Sequence, residues 1–173
     1  MPRAKNPSHR IAFSGLMLAL AIVLSFFESS LPALPMLPAG VKLGLSNIVT
    51  MYAVFFLGAS HAFTIAVLKS LFVLLTRGVT GAFLSALGGL MSVLVMLIVS
   101  KADGLSKHVV SICGAVAHNA GQLFGAVILM QNIAAFYYLP VLLLSGIIMG
   151  ALTGCLLRFV APYLSDMDKR FNI

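Results

Sequence analysis

Charge is what this sequence has least of. Only 9% of its 173 residues are charged, against roughly 25% in an ordinary soluble domain, while 61% are hydrophobic and the mean hydropathy is +1.09. That balance excludes a soluble globular protein. Acidic residues are scarcest, four Asp and Glu against eleven Lys and Arg, which gives a net charge of +7. An excess of this sign can indicate nucleic acid, but these cations sit at the ends of apolar stretches, where anionic lipid headgroups and topology account for them. No nucleic-acid partner is expected. The two cysteines, Cys113 and Cys155, lie inside apolar segments with no CxxC and no metal-ligand spacing, so neither a disulfide framework nor a metal site is indicated. GxxxxGK[ST], CxxCH, HExxH and GxSxG are all missing. Hydrolysis of ATP by a P-loop is thereby excluded, and neither catalysis nor a bound cofactor is expected.

What is present is a series of apolar stretches close to the roughly 20 residues that cross a bilayer. They predict an all-α, integral membrane bundle of six transmembrane helices, at residues 11–27, 43–57, 60–76, 81–100, 108–130 and 138–160. The whole chain, 1–173, is then a single membrane domain with short tails at 1–10 and 161–173. The first stretch follows a basic tail and could be taken for a signal peptide. No convincing cleavage site closes it and five further candidates follow, so it is read as a retained helix. The second is short and only Gly58 marks its end, so the second and third could also form a tight hairpin or a partly re-entrant pair.

Six crossings put both termini on one side. With the termini cytoplasmic, inner segments hold Arg3, Lys5, Arg10, Lys101, Lys107, Arg158, Lys169 and Arg170, and outer loops only Lys42 and Arg77. This is the sign of the positive-inside rule, and it places the chain as a multi-pass protein of the cell membrane. Residues 28–42 carry Pro32, Pro35 and Pro38 before Gly40, which favours a stiff extended loop on the outer face. It is a plain connector or a lid over an outward-facing cavity. The segment 100–107, with Asp103 and Gly104, reads as an ordinary polar turn.

An ionisable side chain in hydrocarbon costs at least about 2.5 kcal/mol, so one retained there has a partner or a task. Lys69 lies nine residues into the third helix, about 13 Å deep at 1.5 Å per residue. His118, Asn119 and Gln122 lie about 15 to 21 Å into the fifth. All four share a depth. In the fifth helix Gly114, His118, Gly121, Gln122 and Gly125 recur at spacings of three and four and draw one narrow face. Such a face points into protein, either as interhelical glue or as a ligand site that includes Lys69. Asn47 and Arg77 lie towards the outer end of the same region, where Asn47 either faces the cavity or caps local backbone. Small residues at four-residue steps, namely Gly15 and Ala19, Ala62 and Ala66, Gly121 and Gly125, and Gly146, Gly150 and Gly154, predict close helix packing or the docking of a partner protein. Gly81, Ser85, Gly88, Gly89 and Ser92 suggest tight contact or a cavity wall in the fourth helix. His61 reads as an interfacial histidine.

Two blocks carry a specific likeness. The run from Pro38 through Lys42, Gly44, Ser46 and Asn47 to Val49, with Leu68, Lys69 and Ser70, and the run from Gly114 through His118 and Asn119 to Gln122, resemble the Gx transporter family, also labelled heptaprenyl diphosphate synthase component I. The likeness covers nearly the whole chain. This family is similar to the substrate-binding S components of energy-coupling factor transporters, six-helix proteins that capture a vitamin-like solute and rely on a separate ATPase. The resemblance implies that the small-residue stripes face a transmembrane coupling protein and that the outer loop covers the ligand. It also implies an alternative, since some relatives are associated with flavin-dependent extracellular electron transfer. A synthase would need paired aspartate-rich clusters to hold magnesium. This chain has three aspartates, two of them Asp166 and Asp168 near its end, so the label is compatible at most with a non-catalytic subunit of an isoprenoid-quinone pathway. The expectation is a solute-binding transporter subunit for an anionic or vitamin-like solute, in which Lys69 neutralises an anionic group and His118, Asn119 and Gln122 orient it, with Asn47 and Arg77 contributing from the outer end.

Overall fold

The computed structural model describes residues 7–30, 45–102 and 104–170. The proline-bearing part of the outer loop with Lys42, the basic tail with Arg3 and Lys5, and Asp103 lie outside the described residues. Within them the chain is helical and no strand occurs. The elements are α1 (Pro7–Ser30), α2 (Leu45–Tyr52), continued by a π-helical turn (Ala53–Leu57), α3 (Ala59–Val99), α4 (Lys107–Met130), a 3₁₀ turn (Ile133–Tyr138) and α5 (Leu139–Arg170). Four helices, in α1, α3, α4 and α5, are long and apolar enough to cross a membrane.

Burial departs from that of a soluble protein, although an apolar core with Phe13, Met17, Tyr52 and Val93 is present. Leu71, Leu75, Leu144, Ile148 and Phe159 face outward, while Glu28, Lys69, Thr50, Ser92, Ser111 and Asn119 are buried. Apolar exterior and polar interior are what a lipid solvent selects, because a polar group in hydrocarbon must find its partner inside the protein. The chain has the build of a multi-pass membrane protein.

Where six separate apolar stretches were expected, residues 60–76 and 81–100 belong to one helical segment of 41 residues, α3. Its single non-helical residue is Gly78, with φ 75° and ψ −174°, a region essentially reserved for glycine. There the chain doubles back. A Cβ on Gly89 would lie 3.6 Å from the Cβ of Ala66, and one on Gly81 would lie 3.4 Å from Val73 Cγ1. Residues 66 and 89 would be about 35 Å apart along a straight helix. The residue pairs are symmetric about Gly78, so 59–77 and 79–99 are antiparallel halves joined by one glycine rather than by the loop expected at 77–80.

The segment 45–57 is short, about 20 Å at an α-helical rise. It is also the most enclosed part of the chain: Ser46, Val49, Thr50, Met51, Tyr52, Ala53 and Val54 are all buried. Tyr52 stacks on Phe56 at 4.6 Å between ring centroids and meets Phe13 of α1 at 6.2 Å. The π-helical turn closes on Gly58 (φ 94°), whose N–H donates to Ala53 O at 2.8 Å. Such irregular backbone is tolerated at membrane depth because protein surrounds it.

Two predicted ends move. α1 runs through Glu28 to Ser30 instead of stopping at 27, and α5 runs through Pro162 to Arg170 instead of giving way to a tail at 161. The start predicted for the last helix at 138 falls at the end of the 3₁₀ turn, itself entered through Asn132, whose Oδ1 accepts from Ala134 N at 2.8 Å.

α4 is clamped on two sides. Towards α5, a Cβ on Gly146 would lie 3.1 Å from Val116 Cα, on Gly150 2.5 Å from Ile112 Cα, and on Gly154 2.9 Å from His108 Nδ1. Ser111 Oγ donates across this seam to Gly150 O at 2.7 Å. Towards residues 79–99, a Cβ on Gly121 would lie 2.9 Å from Leu87 O, and one on Gly88 2.8 Å from Gln122 Cγ. Backbones approach this closely only where side chains are absent.

Candidate functional site

The helix ends leave a polar cavity of about 100 Å³ between α1, α2, both halves of α3, α4 and α5. Lys69, His118, Asn119 and Gln122 all line it, and so do Asn47 and Arg77. All six residues singled out in the sequence as ligand-binding candidates therefore meet at one space, although they come from three helices.

Each is delivered by a helical period. In the first half of α3, Ala62, Ile65, Ala66, Lys69, Ser70 and Val73 form the buried face at steps of three and four. Lys69 on that face is only 4% exposed, and its Nζ donates to Ser46 Oγ of α2 at 3.1 Å. Arg77, one residue before the Gly78 reversal, is exposed at the cavity's rim. On α4, His118 and Gln122 lie one turn apart against Gly88. Asn119 lies on the opposite flank, where its Nδ2 donates to Leu142 O at 2.9 Å and Ser145 Oγ at 3.2 Å. Both amide hydrogens of Asn119 are thus committed to α5, which leaves Oδ1 as its atom for a ligand. Asn119 is interhelical glue and cavity wall at once.

Asn47, in the first turn of α2, lines both this cavity and a small neighbouring void of about 10 Å³ that it shares with Ser92, Ser111 and Thr153. A space of that size between hydroxyls suits a single water.

The small-residue pairs divide. Ala62 and Ala66 are buried, and Gly121, Gly125, Gly146, Gly150 and Gly154 sit at the helix contacts described above. Gly15 and Ala19 do not pack within the bundle: both are exposed, and a Cβ on Gly15 would meet nothing within 4 Å. His61 is half-buried at the start of α3, with Nδ1 3.3 Å from Ser60 Oγ, beside a groove that also holds Gly15.

Glu28 was missed. Read as the first residue of a loop, it is instead in the last turn of α1, 7% exposed, and it lines the cavity with Ser25. Its signal lies in the stripe Phe13, Met17, Ala21, Ser25 and Glu28, the buried face of α1 at steps of four, four, four and three. Ser46 and Thr153 also line the cavity without having been singled out for it, and so do Gly81 and Ser85, which the sequence marked as tight contact or cavity wall. The site is therefore not purely cationic: Lys69, Arg77 and Glu28 put charges of both signs around one small volume. Such a space can hold a compact polar solute or waters, and it is well below the roughly 300 Å³ at which pockets for drug-sized molecules begin. Among the described residues no group of three His, Cys, Asp or Glu could hold a metal ion.

No curated protein and no solved structure matches the chain. The family described as heptaprenyl diphosphate synthase component I matches over residues 17–160, from the middle of α1 into the second half of α5, and so covers every residue that lines the cavity. With most of its 173 residues inside that match, this chain belongs to the heptaprenyl diphosphate synthase component I family.

Proposed function

We propose that the protein is a solute-binding subunit of a membrane transporter, of the S-component type, crossing the membrane six times with both termini in the cytoplasm. The 41-residue α3 supplies two of the crossings through its reversal at Gly78, and the enclosed segment 45–57 supplies the short one. The observation that carries the reading is the meeting of Lys69, His118, Asn119, Gln122, Asn47 and Arg77 at one buried polar cavity. Lys69 neutralises an anionic group of the solute, His118 and Gln122 orient it by hydrogen bonds, and Asn119 accepts through Oδ1. Arg77 and Asn47 act from the rim and the α2 wall.

The chain acts without catalysing a reaction and takes its energy from a separate transmembrane coupling protein and ATPase module. The groove between α1 and α3 that holds Gly15 and His61 is the face offered to that partner, since Gly15 leaves room there and Ile11 and Leu68 expose apolar surface along it.

The test is mass spectrometry of the small molecule retained by the protein in mild detergent, followed by binding to the Lys69→Met variant. Loss of a charge-assisted hydrogen bond weakens binding by about 10- to 150-fold, equivalent to roughly 1.5–3 kcal/mol. Unchanged affinity with an anionic solute rules out the charge role of Lys69.

The family description favours a second reading, a non-catalytic membrane subunit of a prenyl diphosphate synthase or of a related redox or quinone pathway. Copurification distinguishes the two. A prenyltransferase or flavoprotein bound to a bundle that carries no solute supports the subunit; a retained solute or a bound ATPase module supports transport.

A further inference from the structure

A second cleft, of about 450 Å³, opens at the end of the bundle where the segment 45–57 and α5 finish and α4 begins. Two cations, Lys107 and Arg158, line it with the imidazole of His108, together with apolar walls from Phe56, Leu157 and Pro162. Among the described residues no carboxylate lines it. Lys107 is not a loose surface lysine, because its Nζ lies 4.9 Å from the centroid of Phe56 and 5.6 Å from that of Phe55. Ammonium groups over aromatic faces are held in place by the ring quadrupole. His108 is half-buried and seated against Gly154, where a Cβ would come within 2.9 Å of its Nδ1.

The depth of this cleft follows from α5. Exposed Tyr137 and Tyr138 lie just before it and exposed Tyr163 lies near its other end, 86%, 56% and 76% exposed. Aromatic rings of this kind collect at the two membrane–water interfaces. The 24 residues between the two belts span about 36 Å, a hydrocarbon core and a little more. Arg158 lies about 7.5 Å below Tyr163 along the helix, close enough for its long side chain to reach headgroup level. The cleft is thus cationic at the level of lipid phosphates and apolar where it faces acyl chains.

We propose that this cleft is a binding site for an anionic phospholipid, with the phosphate held by Lys107, His108 and Arg158 and the acyl chains lying against Ala161 and Pro162. A neutral zwitterionic lipid brings its own cation into a space that already holds the two of Lys107 and Arg158, so the site discriminates by charge. It is independent of the solute cavity, which lies elsewhere in the bundle and shares none of its lining residues.

The experiment uses the full chain in nanodiscs of phosphatidylcholine containing a small fraction of phosphatidylglycerol, with bound lipid counted by native mass spectrometry after release into detergent. Phosphatidylglycerol is expected to be enriched over its share of the bilayer. Each basic residue near a membrane surface contributes roughly a fivefold factor, so Lys107→Gln with Arg158→Gln lowers the enrichment about 25-fold. Lys101→Gln removes an exposed cation near the same end but outside the cleft, and is expected to change little. Circular dichroism of each variant identifies loss of fold, and if the double variant unfolds, the single Arg158→Gln variant replaces it with an expected fivefold loss. Equal retention of phosphatidylcholine, an equal effect of Lys101→Gln, or displacement of the lipid by millimolar inorganic phosphate overturns the proposal. The last outcome assigns the cleft to a free anion.

Discussion

Lys69 and Glu28 are the two buried charges of the described bundle, and they were not equally visible in the sequence. A lysine in the middle of an apolar run announces itself, because nothing but a partner or a ligand explains its retention in oil. A glutamate at the end of such a run, four residues before a proline series, looks interfacial, and only the continuation of the α1 stripe through Ser25 draws it inside. Its presence sharpens the chemistry. If the solute is an anion, the carboxylate of Glu28 opposes it, and Glu28→Gln tightens binding on the order of tenfold by removing a like charge from a poorly screened cavity. Isothermal titration with the retained solute reads the sign directly. Weaker binding to Glu28→Gln instead means that the solute carries a cationic group for Glu28 to meet.

Glycines set how closely the helices approach. The steps Gly146, Gly150 and Gly154 were legible as a close-packing stripe, and their contacts with α4 leave no room for a methyl group: a Cβ on Gly150 comes 2.5 Å from a backbone atom. Gly150→Ala therefore destabilises the bundle by about 1–3 kcal/mol, the usual cost of overpacking, and lowers the thermal midpoint in detergent. Gly15 has the same spacing to Ala19 but faces outward into open space, so Gly15→Ala is expected to raise stability by about 0.5–1 kcal/mol through helix propensity. Spacing could not separate these two cases. In a lipid solvent a small residue is compatible with an inner or an outer face, and the contacting helix decides. The Gly78 reversal was hidden for a related reason: one glycine inside a continuous apolar run reads as a minor interruption, and the positive φ that turns the chain is not visible in composition. Gly78→Ala forces a side chain into that backbone geometry at a cost of about 1–3 kcal/mol, measurable by the same thermal unfolding.

At the scale of the molecule, the all-helical bundle was readable because hydropathy reports the solvent directly, and the convergence of Lys69, His118, Asn119 and Gln122 was readable because helix rise converts sequence position into depth, whereas Asn47 and Arg77 could only be placed towards the outer end. Helix boundaries were less so, as the extension of α1 and α5 shows, since interfacial residues such as Glu28 and Pro162 are compatible with either state. The six-crossing arrangement makes a prediction that needs no ligand. With Cys113 and Cys155 replaced, a cysteine at Lys101→Cys is modified by an impermeant reagent only from the cytoplasmic side, and one at Gln131→Cys only from outside. Labelling of both from the same side excludes the arrangement. The enclosed segment 45–57 has a consequence for biogenesis. In the proposed six-crossing arrangement it is too short to partition into lipid unaided and enters the bilayer only in the company of its neighbours, so a nascent chain released before the α3 hairpin has emerged is expected to strand it at the insertion machinery. Assembly of the cavity is then a late, cooperative event, and a truncated chain keeps no half-formed pocket.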